Sequence, residues 1–193
     1  MKLSIIVSKQ DLAGLNIARI LINKYGFKKT KEILNGSEIY KKGDFEIIFG
    51  QKDIIFINHI IRDTDAYVFA SRHKSISGYP CLTVHPTGNF SSDTSHGGRP
   101  RELSKTHSFL MKKALLTLNE LATSRGLNYK VSYEVTHHGP TSMNRPSFFI
   151  EVGSSEKNWS DLKACECIAD AIMKLSSIEG KFESCVCFGG PHY

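Results

Sequence analysis

The sequence predicts an α/β protein of three layers, αβα, built around a mixed sheet. Strand-like runs are interleaved with a few helical stretches, the pattern of helices packed on a sheet. The opening run, Leu3–Ser8, is nearly continuous in apolar residues rather than alternating, so it reads as a strand buried on both faces. The runs that follow are too short and too closely spaced for regular βαβ alternation, which makes the sheet mixed.

Taken in order, Asp11 is placed to cap a helix with Leu12, Leu15, Ala18, Ile22 and Tyr25 on one side, and Gly26 ends it. Glu38–Tyr40, Phe45–Phe49 and Ile54–Ile57 are three short β-rich runs. Tyr67–Ala70 and Leu82–Val84 read as central strands. From Asn89 to Arg101 the pattern dissolves into a polar, glycine-containing, basic loop, and a loop of this length inside a compact domain is more often functional than accidental. A helix follows from about Glu102 to Arg125, with Leu103, Leu110, Ala114, Leu118 and Leu121 inward and Gly126 as its stop. Strands at Lys130–Thr136 and Ser147–Val152 flank a second polar loop. Ser155 caps a last helix, about Glu156 to Ser176, and a final strand covers Ser184–Phe188.

No repeat, low-complexity tract or linker interrupts the 193 residues, which are read as one domain, 1–193. The N-terminal apolar run is too short for a signal peptide and no run approaches a membrane span, so the protein is expected in the cytoplasm. Five cysteines include two Cys-x-Cys pairs, Cys165/Cys167 and Cys185/Cys187. That spacing suits neither disulfides nor zinc ribbons, and reduced thiols packed in the core are expected. The formal net charge of +6, from 25 Lys plus Arg against 19 Asp plus Glu, favours a polyanionic partner without demanding one.

Histidine carries most of the chemical information. His73, His85, His96 and the pair His137-His138 all lie in polar or Gly/Pro-flanked segments, and His192 closes the Gly189-Gly190-Pro191-His192-Tyr193 run. Glu134 precedes the pair, Gly139-Pro140 follows it, and Glu151 lies on the next strand among Phe148, Phe149, Ile150 and Val152. A carboxylate there is costly to bury unless it is paired or binds metal. Two adjacent imidazoles reach one site only if the backbone turns, which Gly139-Pro140 favours. Three nitrogen or oxygen ligands beside an open position is the arrangement of a catalytic zinc; a hydrogen-bonded polar cluster is the alternative. The candidate members of such a site are His137, His138, Glu134 and Glu151. Ser71-Arg72-His73-Lys74-Ser75 sets two cations around a histidine at a strand end, and Arg99 and Arg101 lie in the glycine-containing loop. Lys9 follows the first strand next to a helix start. Lys9, Arg72, His73, Arg99 and Arg101 are the candidate phosphate contacts, solvated turns being the alternative. The sequence lacks a Gly-x-Ser-x-Gly elbow, a phosphate-binding Walker loop and a dinucleotide fingerprint. Its aromatics form no obvious platform for single-stranded RNA.

Five of these segments together resemble the archaeal and plant type of D-aminoacyl-tRNA deacylase. They are Ser71–Ser75, Leu82–Phe90, Gly97–Ser104, Glu134–Thr141 and Phe149–Trp159, with Ser8–Ile17 similar to that family's opening. The resemblance covers nearly the whole chain, and five motifs in order make chance a poor explanation. It implies a zinc-dependent hydrolase that releases D-amino acids from tRNA, on a phosphorylase/hydrolase-like α/β fold related to bacterial peptidyl-tRNA hydrolase. The family's motif histidines and glutamate fall on His85, His137, His138 and Glu151; of these, His85, His137 and Glu151 are taken as the candidate Zn2+ ligands, with Glu134 and His138 as acid–base groups. The partner implied is tRNA, with no DNA and no membrane, and a monomer is favoured. Family members continue past the Gly-Gly-Pro-His-Tyr run, so the resemblance implies that a C-terminal part is absent here. The readings kept beside it are a peptidyl-tRNA hydrolase or other metal-dependent amidohydrolase, and a tRNA-binding module without catalysis.

Overall fold

The structure is a computed structural model and describes residues 1–176 and 183–189. Its strands are β1 (Leu3–Ser8), β2 (Lys28–Leu34), β3 (Ser37–Lys42), β4 (Phe45–Gly50), β5 (Ala66–Arg72), β6 (Cys81–His85), β7 (Gly88–Asn89), β8 (Glu102–Leu103), β9 (Lys130–Tyr133) and β10 (Ser147–Gly153). The helices are α1 (Leu12–Tyr25), α2 (Ser108–Ser124), α3 (Glu156–Trp159) and α4 (Leu162–Met173). Eight strands form one sheet in the order β2-β3-β4-β1-β5-β10-β6-β9, while β7 and β8 make a separate two-stranded ribbon. The centre is parallel from β4 through β1 and β5 to β10, then β6 runs antiparallel to β10. The sheet is mixed, as the sequence implies.

One face of the sheet carries α1, α2 and α4 over a core of Leu3, Ile5, Val7, Val68, Leu82, Phe148, Ile150 and their helical partners. The other face buries a smaller cluster, Ile6, Ile48, Ile54, Ile57, Ile60, Tyr67, Phe69 and Phe149. Phe69 and Phe149 stack there at 4.7 Å between ring centroids. A 3-10 turn over Ile54–Phe56, capped by Asp53, roofs this second cluster. The run around Ile54 is therefore a turn and not the expected strand.

α1 starts and stops where expected: the Asp11 carboxylate accepts a hydrogen bond from Gly14 N at 2.9 Å, and Gly26 takes φ of 72°. Its buried face differs. Ala13, Gly14, Ile17, Ala18 and Leu21 face the core, while Leu12 is exposed. Small residues decide this, because a Cβ on Gly14 would stand 2.7 Å from the Ala70 carbonyl oxygen. At Gly14 the helix approaches the sheet so closely that no side chain fits.

Other boundaries differ for physical reasons. β2 escapes prediction because Lys28–Leu34 is charged and exposed, as suits an edge strand. α2 begins at Ser108, since Glu102 and Leu103 pair with Asn89 and Gly88; Leu103 is accordingly exposed. The last helix breaks at Ser160, where Asp161 caps a new helix by accepting from Lys163 N at 2.9 Å. Residues Ser184–Phe188 are exposed and belong to no strand. Cys81, Cys165 and Cys167 are buried free thiols, whereas Cys185 and Cys187 are exposed, so only three of the five pack in the core. His192 lies outside the described residues.

Candidate functional site

The ends of β5, β6 and β9, the body of β10 and the turn after β9 supply the site. His85 closes β6, and its ring stacks on Phe149 of β10 at 5.1 Å and on His137 at 4.2 Å. His137 and His138 sit on the turn after β9, where His138 adopts a left-handed φ of 41°. That turn is tied down on both sides: Gly88 N donates to the His138 carbonyl at 2.9 Å, and Gly139 N donates to the His96 carbonyl at 2.9 Å. Thr87 Oγ1 donates to the Pro140 carbonyl at 2.7 Å.

All three imidazoles are oriented in the same way. Nδ1 of His85 meets the Pro86 carbonyl at 3.0 Å, that of His137 the Val135 carbonyl at 2.7 Å, and that of His138 the Gly139 carbonyl at 2.6 Å. A carbonyl oxygen can only accept, so each Nδ1 carries the proton and each Nε2 keeps its lone pair. One ring nitrogen from each of the three lies within 4.8 Å of the others. This set of three neutral nitrogen donors, each held by a backbone carbonyl behind it, fits a divalent metal with a position to spare. Burial, with His85 and His137 beside it, holds His138 well below the usual histidine value, which keeps it neutral. Burial opposes charge on His85 too, but Glu151 outweighs it and raises this group.

Beside the trio lies a second cluster of His73, Glu134 and Glu151, all buried. His73 Nδ1 is 2.9 Å from Glu134 Oε1 and 3.6 Å from Glu151 Oε2. Burial disfavours its charge, yet the two carboxylates push His73 up to about 10. Burial likewise works against both carboxylates, and His73 overrides it, so Glu134 and Glu151 are held below the usual carboxylate range. The clusters touch: Glu151 Oε2 lies 3.5 Å from His85 Nε2, and Glu134 Oε2 lies 3.7 Å from His137 Nε2. Buried charges of this kind persist only when paired in this way. A cavity of about 630 Å³ lined by Lys2, Asp44, Glu46, Arg62 and Arg145 opens at the far ends of the strands. It holds the Arg62–Glu46 ion pair and neither of the two clusters, so side-chain chemistry rather than cavity size locates the site.

The structure regroups the residues anticipated from sequence. His138, expected as an acid–base group, points its ring into the same trio as His85 and His137. Glu151, expected beside those two as a ligand, groups with Glu134 and His73, and its Oε2 also lies 3.5 Å from His85 Nε2. His73 was expected to meet phosphate, but it is only 7% exposed, because the pleat after β5 turns it inward and leaves Arg72 and Lys74 facing out. Arg72 is already engaged, donating to Asp53 at 2.8 Å and to the Gln10 carbonyl at 2.8 Å, with its guanidinium over Trp159. Lys9, Arg99 and Arg101 are exposed. Phe149, the aromatic floor under His85 and His138, escaped sequence reading because a buried aromatic in a strand carries no functional mark.

Glycines lock the Asn89–Arg101 loop onto the histidine turn. A Cβ on Gly139 would stand 2.2 Å from Gly98 N and 2.7 Å from the Ile55 carbonyl oxygen. Gly139→Ala is therefore expected to destabilise the protein by about 1–3 kcal/mol through overpacking. An unchanged unfolding midpoint in urea would show that the loop yields freely.

The family model and the curated relatives point to one family. Residues 60–193, which include every member of both clusters, match the D-aminoacyl-tRNA deacylase family. The chain is 37% identical to the D-aminoacyl-tRNA deacylase of Thermococcus onnurineus, over 98% of this chain and 72% of that protein. It is 38% identical to the enzyme of that name from Methanococcus vannielii, over 98% of this chain and 70% of that protein. Among solved structures, a conserved protein of unknown function superposes with a TM-score of 0.85 at 32% identity, over 93% of this chain and 64% of that one. A Campylobacter jejuni 5'-methylthioadenosine/S-adenosyl homocysteine nucleosidase shares the fold at a TM-score of 0.54 and 14% identity, over 91% of this chain and 98% of that one. The chain belongs to the D-aminoacyl-tRNA deacylase family.

Proposed function

We propose that this chain hydrolyses the ester that joins a D-amino acid to tRNA, releasing free D-amino acid and tRNA, and that His85, His137 and His138 hold the zinc ion it uses. Family membership supports the reaction. One observation carries the rest: three imidazoles, each anchored through Nδ1 to a backbone carbonyl, bring one ring nitrogen apiece within 4.8 Å of the others, beside a paired-carboxylate cluster. We assign the ligands to these three histidines in place of the set His85, His137 and Glu151, since nitrogen donors in threes suit zinc and leave a position open. Zinc bound there would supply a Lewis acid for the ester carbonyl and an acidified water near pH ~7.

The remaining steps belong to the chain's own groups. Glu134, ionised at neutral pH and adjacent to His137, takes a proton from the attacking water. The leaving oxygen is a ribose hydroxyl, to which the same carboxyl can return that proton. His73 holds Glu134 and Glu151 apart and ionised, as a fixed positive charge between them. No helix among the described residues is long and apolar enough to cross a membrane, and the proposed place of action is the cytoplasm, where tRNA is charged.

Incubation with D-tyrosyl-tRNA and with an N-blocked L-aminoacyl-tRNA side by side tests the substrate class. Hydrolysis of the first alone is expected. Preference for the second would make the chain a peptidyl-tRNA hydrolase, and tight binding without hydrolysis would make it a tRNA-binding module. Recognition of tRNA is proposed to run through phosphates, with Lys9, Arg99 and Arg101 as exposed cations. Replacing Arg99 and Arg101 together with alanine should flatten the dependence of log affinity on log salt by roughly 1 to 2. An unchanged slope would take this loop off the RNA surface.

A further inference from the structure

We propose that Phe90 is the platform on which the terminal base of the RNA stacks, the base of the nucleoside whose ribose carries the ester. The proposal rests on the ester-hydrolase reading above and names a contact that the reading leaves open. A single exposed ring is ordinary on a protein surface; three features set this one apart.

The first is that Phe90 is presented rather than merely exposed. Its ring is 68% exposed, yet the backbone on either side is fixed. Buried Asn89 accepts from Ser91 N at 2.9 Å and donates to the Asp93 carbonyl at 2.7 Å. The Ser91 carbonyl in turn accepts from Arg101 N at 2.9 Å. Fixing the backbone that bears a ring before binding reduces the ordering cost of contact.

The second feature is location. Phe90 lies two residues beyond Gly88, whose N–H donates to the His138 carbonyl at 2.9 Å, and Thr87 bridges to His137. Two residues span at most roughly 7 Å. Base and esterified ribose belong to one nucleoside, so the platform for the base must stand about this close to the reacting carbonyl.

The third is charge. Arg99 and Arg101 lie exposed on the returning arm of the same loop, just before β8, where the phosphate on the 5′ side of the terminal nucleoside needs cations. An aromatic face flanked by fixed cations is the combination that binds single-stranded nucleic acid. It eluded the sequence because it consists of one ring, and its exposure depends on how Asn89 folds the turn.

Binding of uncharged tRNA, intact or lacking its terminal adenosine, tests the proposal without any hydrolysis. The wild-type chain should bind intact tRNA about tenfold more tightly than the shortened form, since stacking of one base is worth that much or more. Phe90→Ala and Phe90→Gln should bind both forms alike, and Phe90→Tyr should keep the preference. A tenfold preference surviving in Phe90→Ala, or its absence in the wild type, overturns the proposal. Hydrolysis of D-tyrosyl-tRNA by the wild type, scored in parallel, separates the two claims. Hydrolysis without base preference sinks the stacking alone, while absent hydrolysis sinks the reading beneath it.

Discussion

His137→Ala and His138→Ala are each expected to lose zinc and deacylation together, with turnover falling by more than about 100-fold. Groups that only orient a metal ligand already cost 10–100-fold when removed, and a ligand itself sits at or beyond that range. The sequence alone led to a division of labour, because neighbouring residues leaving a strand point to different sides. The structure removes that asymmetry. The left-handed φ of 41° at His138 turns its ring back beside His137, with centroids 4.4 Å apart, and both rings are braced by backbone carbonyls. Neither residue is part of the apolar core, so melting temperature measured without added metal should shift little. A purely structural cluster predicts the reverse, lower stability with turnover per folded molecule intact. Zinc content, melting temperature and turnover, measured on both variants, decide between them.

The second large effect concerns Glu134→Gln. Turnover should fall by roughly 10²–10⁴, the range for a group that moves a proton, while zinc stays bound. The amide keeps the volume of the side chain but has no basic oxygen at neutral pH. Glu151 remains beside His73, so the buried histidine keeps one carboxylate partner. Loss of zinc in this variant would make Glu134 a ligand, and near-normal turnover would remove it from the reaction.

The fold was legible wherever burial leaves a one-dimensional trace. Leu3–Ser8, Ser147–Val152 and the span from Asp11 to Gly26 carry such traces in apolar runs, a cap and a stop. β2 carries none, since an edge strand of lysines looks like a loop. The face of α1 was misread because close approach to β5 admits only a glycine at position 14, which an apolar count passes over. Within the site, the residue types were readable and their grouping was not. Grouping follows from the strand order β5-β10-β6-β9, which sets His73, Glu151, His85 and Glu134 on neighbouring strands or their ends. His73 shows the difficulty most clearly: its cationic neighbours suggested a surface, while the alternation of the chain sends it between two buried carboxylates.

The most direct test of the account is deacylation of matched D- and L-tyrosyl-tRNA by the wild-type chain and by His85→Ala, before and after chelation and after zinc is restored. His85 is fully buried at the meeting point of the two clusters, so it reports on the site as a whole. The account predicts that the wild type hydrolyses the D-ester, loses that activity on chelation and regains it with zinc, whereas His85→Ala stays inactive at every zinc concentration that restores the wild type. Undiminished hydrolysis after chelation, or a fully active His85→Ala, would contradict it.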